Sequence, residues 1–222
     1  MHIPDGFLSP AVCVFTWAVS ALVVGCCVKK TSAELDEKMI PRMGLMAAYI
    51  FTAQLITFPV PGGTSGHILG AALAAILLGP CAGILVMAVV LTAQCLLFHD
   101  GGLSTLGANI FNMGIVGITS GFLVFEAIRR MAGNGAGITA GTAASSWISV
   151  VLASVTCALE LVWSCTSPCH VAVPVMAVSN AIAGLFEAFI TCLIVNFIVK
   201  VRPDILYNTR QHLKRASLEP GT

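Results

Sequence analysis

Charge is what this sequence has least of. Asp, Glu, Lys and Arg make up 9% of its 222 residues, whereas a soluble domain carries about 25%, so the chain cannot cover itself with a solvated surface. A polar linker, a low-complexity tract and a convincing internal repeat are all missing, which argues against a second soluble domain. No G-x-x-x-x-G-K-[ST] phosphate loop is present, so the chain does not itself use ATP. There is no H-E-x-x-H and no nucleophile–base pairing, and an enzyme is not expected. A charged leader region and a small-residue cleavage site are absent too. The expectation is therefore that Met1 stays in place with a free amine, because a bulky second residue generally blocks its removal.

What the sequence has is apolar length: 57% of residues are hydrophobic and the mean hydropathy is +0.94. Apolar runs cover 7–28, 43–58, 67–79, 80–98, 105–128, 139–165 and 174–199. As one rod, 67–98 would be about 48 Å long at 1.5 Å per residue, too long for a hydrocarbon core of about 30 Å. The Gly79-Pro80 pair offers a place to turn back. Charge placement favours that turn. All eleven basic residues fall in three groups, Lys29 to Arg42, Arg129 with Arg130, and Lys200 to Arg215. Seven spans put every group on the cytoplasmic side, as the positive-inside rule prefers. The expected fold is an all-α polytopic membrane protein with seven transmembrane helices, amino terminus outside and carboxyl terminus cytoplasmic. Residues 1–206 form one membrane domain and 207–222 a basic cytoplasmic tail.

That orientation places His2, His67, His99 and His170 on an outer face free of Lys and Arg, with only His212 inside. The opening "MHIPDGFLSP" is the most informative stretch. The Met1 amine and the His2 amide nitrogen close a five-membered chelate ring on a metal ion. The same amide nitrogen and His2 Nδ1 close a six-membered ring. Three nitrogens in one plane, one of them a deprotonated amide, suit Ni(II) or Cu(II) and offer little to tetrahedral Zn(II). His67 is the leading candidate for the empty fourth corner, behind "PGGTSG", whose glycines let the backbone approach another segment closely. The bland alternative is a solvated terminal histidine and an interfacial one.

Several polar residues lie within apolar runs, where they are costly and need partners. Asn109 and Asn112 are candidates to hydrogen-bond the ligating imidazoles, or to pack helices together. Asp5 is placed to orient His2 or to form a turn. Glu160 and Glu187 are expected to pair with Gln54, Gln94 or Asn180. Glu126 has the favourable i,i+4 spacing to Arg130. Cys165 and Cys169 in "CTSPCH" are open to a disulfide or a soft-metal role, and His99 and His170 to a place on the ion's way in or to simple solvation.

The stretches "MHIPDGFLSP", "FPVPGGTSGHILGAALAAILLGP", "DGGLSTLGANIFNMGIVG" and "VRPDIL" resemble the CbiM/NikM family, from Met1 to about Leu206. Its members are the substrate-capture membrane components of energy-coupling-factor (ECF) importers for nickel and cobalt. The resemblance implies a metal site of Met1, His2 and His67, with Ni(II) slightly ahead of Co(II) as the transported substrate and no organic cofactor. It also implies a transmembrane coupling protein, paired ATPase subunits and a small accessory membrane protein as partners, in a prokaryotic plasma membrane and without nucleic acid. Cobalt import would serve cobalamin biosynthesis. One departure is Asn180, where many relatives carry a histidine. An intramembrane metalloenzyme and an autonomous secondary transporter are the competing readings.

Overall fold

The computed structural model describes residues 1–60, 64–133, 135–207 and 209. Helix α1 (Pro10–Glu34) leads by a short turn to α2 (Met39–Leu55) and then to a hairpin of strands β1 (Thr57–Val60) and β2 (Thr64–His67). After it come α3 (Ala71–Leu78), α4 (Pro80–Phe98) and a rod made of α5 (Leu106–Asn109), a π-helical stretch Ile110–Val116 and α6 (Gly117–Ala132). Helices α7 (Ala136–Trp163) and α8 (Cys169–Val201) complete the bundle. Apart from Tyr207 and Thr209, the expected tail 207–222 lies outside the described residues.

Among the described residues, five rods are long and apolar enough to cross a membrane: α1, α4, Leu106–Ala132, α7 and α8. Helix α1 shows how they meet lipid. Its buried face carries Thr16, Ser20, Cys27 and Thr31, while Val14, Phe15 and Leu22 are exposed. Small hydroxyl-bearing residues inside and large apolar ones outside is the arrangement that packs helices in hydrocarbon. Ser20 Oγ donates to the Gly107 carbonyl at 2.7 Å, and Trp17 would collide with any side chain at Gly107.

The stretch 67–98 is indeed two helices. Gly79 turns the chain at φ 85°, a Cβ there would strike the Tyr207 ring, and Pro80 begins α4, where its missing N–H costs nothing. The first half is shorter than the apolar run suggests. The backbone of β2 pairs antiparallel with β1, Thr57 opposite His67, and Gly70 turns at φ 75° before α3 can start. What remains is eight residues, all buried, or about 12 Å of helix. This short hairpin is set into a protein that is otherwise helical among the described residues.

Helix α3 starts deep inside the protein, and its exposed N–H groups need acceptors. Glu187 of α8 supplies both of its oxygens, accepting from Leu69 N–H at 2.6 Å and Gly70 N–H at 3.0 Å. Gln54 Nε2 donates to the Leu69 carbonyl at 2.9 Å. The turn that carries His67 into the bundle is thus fixed from α2 and α8 at once.

Candidate metal centre

The first residues do not fray. Ile3 is 3% exposed, and both of its peptide groups are bound. Its N–H donates to Asn109 Oδ1 at 2.9 Å, and its carbonyl accepts from Gly102 N–H at 2.9 Å and Thr105 Oγ1 at 2.5 Å. Asp5 accepts from the backbone N–H groups of Leu103 and Ser104 and from the Ser104 hydroxyl. This stitching requires the two glycines of "DGG". A Cβ on Gly102 would lie 2.3 Å from the backbone nitrogen of Asp5, and one on Gly101 would lie 2.8 Å from Asn109 Nδ2 at φ 90°. The loop 99–105 therefore grips the amino-terminal segment and pushes its tip into the bundle.

At that tip the Met1 amine reaches His67 Nε2 at 3.3 Å, although 66 positions separate them. The rings of His2 and His67 lie 5.1 Å apart, tilted by 40°. His67 Nδ1–H donates to the Ile68 carbonyl at 3.2 Å, which leaves the lone pair on Nε2, facing the amine. His2 Nε2–H donates to Gln94 Oε1 at 3.1 Å, and its Nδ1 approaches Asp100 at 3.6 Å. Among the described residues, no cluster of three or more His, Cys, Asp or Glu side chains is arranged to hold a metal. A divalent ion at this point would have to draw on the amine and backbone nitrogen as well as the two rings.

The site is dry. His67 is 5% exposed and the His2 side chain 6%. Desolvation holds the Met1 amine below its ordinary value, and the same effect, reinforced by the neighbouring amine charge, pushes His2 down to about 4. His67 is held well below its ordinary value by burial, then by the amine and His2. Burial and mutual repulsion thus keep protons off both imidazoles at neutral pH and leave lone pairs available to a cation.

Other expectations are redistributed. Asn109 holds the Ile3 backbone, not an imidazole. Asn112 donates to Glu160 at 2.6 Å and so ties two rods together instead of bonding an imidazole. Asp5 anchors the 102–105 loop and does not touch His2. Glu160 and Glu187 do find structural partners, but these are Asn112 and the α3 backbone; Gln54 and Gln94 serve elsewhere. Glu126 pairs with Arg130 at 2.7 Å as spaced, and with Arg129 as well. Cys165 and Cys169 are both free thiols and both exposed. His99 ends α4 in a left-handed turn at φ 55° and His170 is an exposed residue in the first turn of α8. Asn180 shares with Met1, His2, Cys157 and Met176 the lining of a pocket of about 230 Å³. Gln94 is the contact that sequence reasoning assigned to the wrong partner, a lone amide in an apolar helix whose only signal is that it needs a partner.

A family model described as the cobalt uptake substrate-specific transmembrane region matches residues 2–205. The chain belongs to the CbiM family. Among its CbiM relatives is the provisionally named fused nickel transport protein NikMN of Archaeoglobus fulgidus, 42% identical over 93% of this chain and 68% of that protein. Another is the cobalt transport protein CbiM of Sorangium cellulosum, 34% identical over 100% and 99% of the two chains. A solved truncated transition metal transporter superimposes with a TM-score of 0.83 at 32% identity, covering 90% of this chain and 99% of that one. These are transport proteins, and this CbiM chain is a membrane component of nickel/cobalt transport and not an enzyme.

Proposed function

We propose that the chain is the metal-capture subunit of an ATP-driven ECF importer, taking Ni(II) ahead of Co(II) in a prokaryotic plasma membrane. Seven spans, with the amino terminus outside, are part of the same reading. The Met1 amine, the His2 amide nitrogen and His2 Nδ1 make the two fused chelate rings, and His67 Nε2 closes the plane. One observation carries this: the amine and His67 Nε2 meet at 3.3 Å inside the bundle, beside the His2 ring. In the chelate, the corner opposite the amide nitrogen adjoins the amine, and that is the side His67 occupies. Square-planar nitrogen donors favour Ni(II) and Cu(II) over metals that prefer other geometries.

ATP must be used by other subunits, since the sequence has no phosphate loop. A transmembrane coupling protein, paired ATPases and a small accessory membrane protein fill that requirement. The ion arrives, displaces the amide proton and is shielded by the 99–105 loop. Reorientation of this subunit by its partners then releases it inward.

The test is a Ni(II) titration of the purified full chain with its amine free, followed by absorption. One ion per chain and the d–d band of a planar four-nitrogen complex are expected. A tetrahedral or octahedral spectrum would overturn the ligand assignment. Uptake into vesicles that is independent of ATP and of any ATPase would overturn the importer class.

A further inference from the structure

Gln94 is buried completely within α4, and its position explains a requirement that the chelate leaves open. His2 has two ring nitrogens, and the six-membered ring can close only through Nδ1. A neutral imidazole carries one proton, so Nδ1 is a ligand only when Nε2 holds that proton. In the structure Nε2 faces Gln94 Oε1 at 3.1 Å, and the other amide atom, Nε2 of Gln94, has no partner among the described residues. A buried amide that leaves its donor unsatisfied gives up a hydrogen bond. The side chain nonetheless directs its carbonyl at His2. On the opposite side of the ring Asp100, 3.6 Å from Nδ1, favours the wrong tautomer by attracting a proton there.

We propose that Gln94 is the positioning residue of the metal site: its carbonyl oxygen holds His2 in the Nε2–H tautomer, against the pull of Asp100, and so presents the Nδ1 lone pair to the ion. This rests on the chelate reading and deepens it. His67 achieves the same end differently, with its Nδ1–H on the Ile68 carbonyl and Nε2 free. The two imidazoles thus offer opposite nitrogens, each selected by an oxygen on the far side of its ring, as metal-binding histidines generally require.

Two variants and one tautomer measurement test it, all on the purified full chain with Ni(II) as the probe. Gln94→Leu keeps the volume and removes the acceptor; affinity is expected to fall roughly 10–100-fold, the usual cost of losing a group that holds a ligating histidine. Gln94→Glu keeps an oxygen acceptor and is expected to recover the affinity and to move the d–d band, because a carboxylate makes the imidazole a stronger donor. A purely structural role predicts instead that both variants lower the melting temperature of the metal-free protein while the band stays in place. Wild-type affinity and band in Gln94→Leu would overturn the assignment, as would a Gln94→Glu variant as weak as Gln94→Leu. Should Gln94→Leu fail to fold, nitrogen-15 shifts of His2 in the metal-free wild-type chain decide alone: a protonated Nε2 is expected, and a protonated Nδ1 overturns the proposal. A wild-type chain that gives no planar spectrum would sink the chelate reading, and the tautomer measurement does not depend on it.

Discussion

The Ile3 amide and the Asn109 side chain meet at 2.9 Å across 106 positions of sequence, and Asn109 Nδ2 returns a bond to the Ile3 carbonyl at 3.3 Å. One amide thus satisfies both polar groups of a buried peptide two residues from the amine. Asn109→Leu leaves the Ile3 N–H unpaired at a cost of about 1–3 kcal/mol, while the carbonyl keeps Gly102 N–H and Thr105 Oγ1. The expected outcome is faster hydrogen exchange at Ile3 and weaker Ni(II) binding, measured by exchange NMR and calorimetry. An unchanged exchange rate would remove the clamp from the account.

His67 and the chelate can be separated genetically. His67→Ala should weaken Ni(II) binding by more than the roughly 10–100-fold typical of residues that merely hold ligands. Inserting one glycine between Met1 and His2 should act differently. The longer terminus supplies an amine, two amides and an imidazole by itself, so binding survives while His67 becomes redundant and transport fails. An insertion variant that transports at the wild-type rate would show that the two-residue spacing is irrelevant.

Capture should release protons. Burial has pushed His2 down to about 4 and His67 well below its ordinary range, so both rings are already neutral at pH 7. What remains to be displaced is the amide proton and whatever proton the amine carries. Calorimetry in buffers of different ionisation enthalpy should therefore find at least one proton released per Ni(II), and affinity should fall as pH drops. The same shift bears on the metal-free protein. Between the ordinary imidazole value of 6.5 and about 4, the unfolded chain binds a proton at His2 that the folded chain refuses. Stability should accordingly decline as pH falls through that window, which a pH series of melting curves checks.

Glu187 offers a test away from the ligands. Its two oxygens are the acceptors for Leu69 and Gly70 at the start of α3. Glu187→Leu strands two buried donors, about 1–3 kcal/mol each, and loosens the turn that carries His67. A lower melting temperature together with weaker Ni(II) binding is expected, whereas Glu187→Gln, which keeps one acceptor oxygen, should lie between. Equal melting temperatures for Glu187→Leu and wild type would refute the capping role.

Much of this was readable beforehand, for identifiable reasons. The Gly79-Pro80 turn follows from backbone chemistry that acts locally, and the chelate we propose for Met1 and His2 rests on ring sizes along one short segment. The partners of Asn109, Asn112, Asp5 and Gln94 were not readable, because each is fixed by which rods pack together. A lone amide in an apolar helix announces that it needs a partner without saying which one. Asn112 pairs with Glu160, and it is Gln94 that meets the His2 ring. The hairpin escaped notice because "PVPGGTSG" reads only as a break between two apolar runs, and the pairing across it, Thr57 opposite His67, is made by backbone that the side-chain pattern does not report.

The threading of Ile3 between the 102–105 loop and Asn109 has a practical corollary. A protein whose first peptide groups are sewn into its interior leaves little room for a bulky extension at that end. An affinity tag placed there, or a retained formyl cap, would have to unpick those bonds or occupy the space beside His67. Samples bearing such additions should behave as folded, membrane-inserted material that has lost its metal, and handles for purification belong at the opposite terminus.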